Sequence, residues 1–182
     1  KDDEDSKKIK AAYTEHVARM FGFVGKSAEK ASALADQVIK VETQLAAARL
    51  DKVARRDPAK RYNPKSTEEL GEIATIIRWQ KYFSAIGVAG IDTVVLTDLD
   101  YFSPLDEVMK NSSIEDIKAY LWWTLIDGTA SRLSTEMDRA DWDFYSKTLR
   151  DTIAQEPLEQ RSIRTVNWTL DEALGKLYVT QN

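Results

Sequence analysis

Cysteine is absent from the 182 residues and histidine occurs once. The first absence removes disulfides, thiolate metal sites, iron–sulfur clusters and cysteine nucleophiles together, and leaves the redox compartment open. The second makes a hydrolytic zinc centre hard to build. Such a centre takes three protein ligands, commonly with two histidines, and a hydrolytic triad needs a base beside its nucleophile. The one histidine, His16, lies in a helical pattern between Glu15 and Val17 and reads as a boundary residue of a packed helix rather than a ligand. The sequence therefore offers no catalytic, cofactor-binding or metal-ligating residue. Long apolar runs are missing as well: 85–91 and 120–126 fall far short of the ~20 residues that cross a bilayer, so no transmembrane segment is expected. Neither sign of charge dominates, with 26 basic and 30 acidic residues and a net charge of −4, and without a basic patch no nucleic-acid partner is expected. The start Lys-Asp-Asp-Glu-Asp has neither the basic end nor the apolar stretch of a signal peptide. Beginning on Lys1 and ending on Tyr-Val-Thr-Gln-Asn without a stop signal, the chain reads as an excerpt of something longer.

What is present is an ordinary globular composition, 43% hydrophobic and 31% charged, long enough to bury about 70% of its extended-chain surface around one core. Ser6 is the expected cap of a first helix with Ile9, Tyr13, Val17, Met20 and Phe21 on one face, ending at Gly22 or Gly25. The acidic residues Asp2, Asp3, Glu4 and Asp5 read as a frayed terminus that complements this helix's dipole. From Ser27 to Arg55, the residues Leu34, Val38, Val41, Leu45 and Ala48 step by three and four without proline or glycine, predicting one long helix of about 40 Å at ~1.5 Å per residue. Asp57-Pro58 stops it. The stretch 57–65 reads as a loop with Tyr62 packed inward, and Ser66 with Glu69 as a capping box for a short helix through Thr75. Another short helix is expected over 78–85, then one short strand or extended segment near 91–96 after Gly87 and Gly90. Asp98 to Lys110 reads as helical, with Pro104 kinking it or beginning it behind Ser103.

Ser113 with Asp116 opens the next helix, whose expected buried face is Ile114, Ile117, Leu121, Leu125 and Leu133, widened by Trp122 and Trp123, with Gly128 admitting a neighbouring helix. A helix over 138–149 carries Trp142, Phe144 and Tyr145. After Pro157, one last helix carries Ile163, Val166, Leu170, Ala173, Leu174, Leu177 and Tyr178. The predicted class is mainly α: a multi-helix domain over 1–182 with one long helix and at most a short strand pair.

Candidate chemistry is sparse. Asp138, Asp141 and Asp143 beside Trp142 fit a sugar site only if two carboxylates converge about 5 to 9.5 Å apart, and a solvated helix face with a core tryptophan fits the same pattern. Asp98 and Asp100 begin like a calcium loop, but Phe102 takes the next alternate position and no glycine follows. Trp122 and Trp123 read as core aromatics rather than a ligand grip.

The order of segments carries a resemblance. Val41-Glu42-Thr43-Gln44-Leu45-Ala46, Arg56-Asp57-Pro58 with Tyr62-Asn63, then Trp79 and Tyr82, Asp100-Tyr101-Phe102 with Leu105, Tyr120-Leu121-Trp122-Trp123, Phe144-Tyr145, and finally Glu172-Ala173-Leu174-Gly175-Lys176-Leu177-Tyr178-Val179 follow one another as in the non-catalytic N-terminal half of the neprilysin and endothelin-converting-enzyme family of zinc metallopeptidases, which the chain resembles over nearly its whole length. The resemblance implies a fragment of a larger, largely helical zinc metalloendopeptidase. Its zinc site, a His-Glu-x-x-His helix with a downstream Glu-x-x-x-Asp, lies outside this chain, since neither pattern occurs here. The fragment alone is then expected to be inactive and to bind no zinc. It would serve as a helical lobe that covers the catalytic cleft and limits substrates to small peptides, with the C-terminal catalytic domain of the same chain as its partner. The family's vertebrate tryptophan and the disulfide cysteine three residues later fall at Glu159 and Ser162, which implies a bacterial member without that bridge. An extracytoplasmic location (periplasmic, cell-surface or secreted) follows from the resemblance alone. Two other classes stay open from the residues themselves: a free-standing helical interaction module, and a small carbohydrate-active enzyme using Asp141 or Asp143 near Trp142.

Overall fold

The computed structural model describes residues 3–47, 49 and 56–181. It is mainly helical with one two-stranded antiparallel pair, the class the sequence predicts. Helix α1 spans Glu4–Phe23, and its cap is Asp3, not Ser6: the Asp3 carboxylate accepts the Ser6 N–H at 2.8 Å from an extended backbone. With Glu4 and Asp5 in the first turn, the acidic start is thus helix machinery, because a carboxylate satisfies an orphan N–H and complements the dipole at once. Gly25, at φ +84°, turns the chain after α1. Helix α2, Ala28–Ala47, buries Leu34, Val38, Val41 and Leu45 as expected; it is shorter than the helix expected through Arg55, since Arg49 lies in a bend, and 48 and 50–55 lie outside the described residues.

The segment 57–66 holds more structure than a loop. Asp57 caps a single helical turn, α3, Pro58–Arg61, accepting the Ala59 N–H at 2.9 Å. Strand β1, Asn63–Ser66, then pairs antiparallel with β2, Thr93–Leu96, placing Asn63 opposite Leu96 and Ser66 opposite Thr93. Asn63 donates to the Lys60 and Leu96 carbonyls at 2.8 and 3.0 Å. That fixes the strand's start and leaves Tyr62 outside it, 68% exposed rather than packed inward. The capping box is present: the Glu69 N–H donates to Ser66 Oγ at 3.1 Å and the Ser66 N–H to Glu69 Oε2 at 2.7 Å, opening α4, Thr67–Ile73. Helix α5 follows at Trp79–Ala85, and α6 at Leu99–Asn111 carries Pro104 inside it. Leu70, Phe83 and Leu96 form a small core under these elements, with Trp79 and Phe102 against it.

Helix α7, Ile114–Thr129, is capped by Ser113, whose hydroxyl accepts the Asp116 N–H at 3.1 Å. Its buried face is not the expected one. Asp116, Ala119, Trp123 and Ile126 turn inward, while Ile114 is 73% and Leu125 65% exposed. The helix is apolar nearly all round, so periodicity offers two stripes. The stripe that faces inward brings Trp123 onto Tyr13 and Phe21 of α1 and Asp116 within 2.7 Å of Lys40 on α2. Gly128 is exposed, and a β-carbon there would meet no atom within 4 Å; among the described residues no helix makes the close approach expected there.

A 3-10 turn, Ala130–Arg132, leads to α8, Thr135–Trp142, capped by Ser134. The backbone then widens into a π-helical turn, Asp143–Thr148, instead of continuing as α-helix to Leu149. Helices α1, α2, α7 and α8 enclose the main core of Val17, Met20, Phe21, Leu34, Val38, Trp123, Ile126 and Met137. The expected last helix is two: α9, Leu158–Thr169, and α10, Asp171–Gln181, broken at Leu170 (φ −121°, ψ 29°), with the Asp171 side chain accepting the Glu172 N–H at 2.8 Å. A short carboxylate that bonds the adjacent backbone competes with helix continuation.

Candidate functional site

Across the four-helix core runs a seam of paired polar groups. Trp123 Nε1 donates to Tyr13 OH at 2.9 Å, and Tyr13 OH donates to Glu42 Oε1 at 2.9 Å, so α7, α1 and α2 share one chain of hydrogen bonds. Beside it the Tyr145 hydroxyl, carried by the π turn, donates to Asp127 Oδ1 at 2.8 Å. Burial pushes the Glu42 and Asp127 carboxyls up, and pushes both tyrosine hydroxyls up further from titration. The tyrosines remain neutral donors, which is what a buried acceptor needs from them.

His16 sits in the same layer, stacked on Phe144 at 4.9 Å with Trp123 and Tyr145 edge-on at 5.7 Å. Its Nε2 is buried and without a hydrogen-bond partner among the described residues. Burial, with the neighbouring Arg19 adding to it, lowers its pKa to about 4. Among the described residues no three His, Cys, Asp or Glu side chains are placed to hold a metal ion. These residues do not fit a zinc centre, and no catalytic step is derived for them.

Of the three aspartates singled out with Trp142, Asp138 and Asp141 line one cavity with it and Asp143 lies outside that cavity. Asp138 is held bidentately by Arg161 of α9, at 2.7 and 2.9 Å, and accepts from Gln155 as well. Asp143 faces Arg19 and Arg139 at 3.5 and 3.7 Å. Asp141 points into a cavity of about 290 Å³ shared with Asp138, Trp142 and Gln155; burial, then Asp127 and Asp138, push its pKa up to about 6. Trp142 itself is buried beneath Arg139, leaving no open aromatic platform for a sugar. Asp98 and Asp100 stand at the start of α6 rather than in a metal loop. Trp123 is core, while Trp122 is edge-on to Phe21 with Lys26 over its ring at 4.5 Å.

Sequence reasoning missed the seam residues Tyr13, Glu42, Asp127 and Tyr145 and the Asp138–Arg161 pair. The partners lie 18 to 110 residues apart, a separation that periodicity does not report; Tyr13, at i−4 from Val17 on the buried face, was the one local signal.

The last two helices have no fully buried residue. Leu158, Ile163, Val166, Trp168, Leu174, Leu177, Tyr178 and Val179 all face solvent, Trp168 at 79% and Val179 at 77% exposure. Single exposed apolar residues are ordinary; eight of them on two successive helices that bury no residue are more than a finished surface leaves bare, and mark these helices as the part of the chain suited to being covered.

Seams, caps and paired charges together define a packed helical framework with an open apolar flank. The family model described as peptidase family M13, for its N-terminal part, matches residues 1–182, and the chain belongs to that family. It is 26% identical over 185 residues to human endothelin-converting enzyme-like 1, covering 99% of this chain and 24% of that protein. It is 25% identical over 191 residues to mouse membrane metallo-endopeptidase-like 1, covering 97% and 25%. Its structure is similar to that of Mycobacterium tuberculosis zinc metalloprotease 1 in an open state, with a TM-score of 0.93 and 31% identity over 98% of this chain and 28% of that one. PepO of Lactobacillus rhamnosis shares the fold, at a TM-score of 0.86 and 16% identity over 98% of this chain and 28% of that one. The chain therefore spans about a quarter of the length of the relatives it matches.

Proposed function

We propose that residues 1–182 form one helical domain of an M13 zinc metalloendopeptidase, covering the catalytic cleft and restricting entry to small peptides, with the zinc ion and the catalytic residues held elsewhere in the parent polypeptide. The observation that carries the reading is the bare apolar flank of α9 and α10 in a chain that matches about a quarter of each relative. Surface of this kind is stable when something covers it, and the catalytic part of the same polypeptide is the proposed cover. On this reading the chain's contribution is shape: a rigid wall, cross-braced by the Tyr13–Glu42–Trp123 seam, that excludes folded proteins and water from the cleft. A bacterial source and an extracytoplasmic location belong to the same proposal and are supported by the family's resemblance only.

Two measurements test it. The 182-residue chain with zinc and a fluorogenic peptide is expected to show no turnover, and zinc-dependent cleavage there overturns the division of labour. The full-length polypeptide is expected to cleave peptides of about ten residues while leaving an unfolded protein such as reduced casein intact. Comparable rates on both overturn the size restriction. Leu177→Asp with Val179→Asp in the full-length polypeptide is expected to loosen the flank and lower peptide cleavage.

A further inference from the structure

The two edges of the β1–β2 pair are unlike. The Thr67 N–H donates to the Asp92 carbonyl at 3.0 Å. With Ser66 opposite Thr93 and Asn63 opposite Leu96, the ladder bonds therefore fall on Asp92, Val94 and Leu96, and the N–H and C=O groups of Thr93 and Val95 point away from β1. The matching outward positions on β1 are Pro64 and Ser66. Pro64 has no N–H, and the Ser66 N–H donates to Glu69 Oε2 at 2.7 Å, so that edge offers a further strand no free donor. On β2, neither Thr93 nor Val95 makes a backbone hydrogen bond outside the ladder among the described residues. Both residues are exposed, Val95 at 48%.

A bare strand edge is a template for pairing, and proteins guard such edges with proline, lysine, a bulge or an inward charge. Strand β1 is guarded by Pro64 and by the Glu69 carboxylate. Strand β2, Thr-Val-Val-Leu, carries no such guard, and three of its four residues are β-branched and suit a sheet interior. A guarded edge beside an unguarded one is what a sheet shows when one side meets solvent and the other receives a strand. Magnitude decides which strand. Thr93 and Val95 offer two N–H and two C=O groups, and at roughly a factor of five for each net hydrogen bond the four multiply to about 600-fold, which holds a separate molecule, peptide or second copy, no tighter than ~1 mM. A strand of the same polypeptide meets the edge at an effective concentration of that order or above, so the same bonds suffice to hold it. The chain spans about a quarter of the relatives it matches, and the remaining polypeptide can supply that strand. We infer that β2 is an inner strand of the parent protein: a strand from outside residues 1–182 pairs with its outer edge and makes the pair a sheet of three.

The inference rests on the chain being part of a longer polypeptide and not on the cleft-covering role, and its test reads amide exchange rather than peptide cleavage. Hydrogen exchange of the full-length polypeptide is followed residue by residue over 92–97, without added ligand. Thr93 and Val95 are expected to be slowed at least ~100-fold against an unfolded chain, alongside Val94 and Leu96, at every protein concentration from ~1 to ~50 μM. Alternating protection, with Val94 and Leu96 slow and Thr93 and Val95 fast, shows an open edge and overturns the proposal. Protection of Thr93 and Val95 that appears only as protein concentration rises assigns the edge to a second copy and overturns it as well. Val95→Pro removes an outward N–H opposite Pro64 and spares the ladder bonds to β1; it is expected to speed exchange at Thr93 by at least ~10-fold, whereas Val95→Ala, which keeps the N–H, is expected to change it less than ~3-fold. In a Val95→Pro variant whose Val94 and Leu96 amides stay slow, unchanged exchange at Thr93 overturns the proposal, because the protection seen in the parent would then come from burial and not from a paired strand.

Discussion

Replacing Arg161 by alanine tests how α9 and α10 are attached. Neither helix has a fully buried residue, and the polar tie from α9 to the bundle is the fork of Arg161 on Asp138, at 2.7 and 2.9 Å, with the guanidinium Nε also donating to the Glu156 carbonyl at 3.0 Å. The two side chains are 24% and 15% exposed. That geometry places the pair between a surface ion pair worth ~0–1 kcal/mol and a buried one whose rupture costs ~3–5 kcal/mol, and Gln155 still satisfies Asp138 afterwards; about 2 kcal/mol is expected. Because so little else holds the arm, the loss is local. In native-state hydrogen exchange of the 182-residue chain, amides of α9 are expected to exchange about 30-fold faster at ~1.4 kcal/mol per decade, while amides around Val38 and Val41 in α2 keep their protection. Asp138→Asn alone and the double variant complete a cycle whose coupling energy is expected near ~2 kcal/mol. Unchanged α9 exchange, or α2 amides accelerated to the same degree, refutes the reasoning.

Trp123→Ala removes a side chain that is 1% exposed and leaves Tyr13 OH without the indole donor; a loss of ~3–5 kcal/mol in denaturant unfolding is expected. His16, with its pKa lowered to about 4 by burial and Arg19, is neutral in the fold while the unfolded chain protonates near 6.5. Stability is therefore full above ~6.5 and falls as pH drops toward about 4, and His16→Leu is expected to flatten that part of the curve, read by urea melts against pH. Asp141 acts in the opposite sense. Its pKa, raised to about 6 by burial and by Asp127 and Asp138, costs stability above that value, and Asp141→Asn is expected to gain roughly 1 kcal/mol at pH 7, discounted for solvent screening, and nothing below about 4. Gly128→Ala, at an exposed helical position with open space around it, is expected to be neutral or to stabilise by up to ~1 kcal/mol; a loss would restore the close approach that the sequence suggested.

Signals confined to a few neighbouring residues were legible. The Ser66/Glu69 box and the Ser113 cap need only a hydroxyl three positions before its donor, and both stand where the spacing puts them. Asp3 outcompeted Ser6 because an acidic run offers several caps and the choice rests on where the first turn starts. The face of α7 was illegible for a different reason. A helix apolar on most sides carries no periodic preference, and its orientation was decided by Tyr13 and Lys40, 110 and 76 residues away. The break at Leu170 falls inside an unbroken apolar pattern, so only the Asp171 backbone contact marks it. Asp138 and Asp143 are held by Arg161 and by Arg19, distant partners that no local spacing reveals, and Asp141 keeps only the cavity it shares with Asp138. Their family could be read because ordered short segments survive even where the packing around them is not deducible.

The π turn at Asp143–Thr148 sets the phase of everything after α8. A wide turn holds one residue more than the α-helical count, so shortening it by a single residue would rotate the downstream chain by about 100°. Tyr145 would then leave Asp127, and the arm bearing Arg161 would swing off Asp138. A one-residue deletion there should thus detach the terminal helices while leaving every side chain of the main core intact.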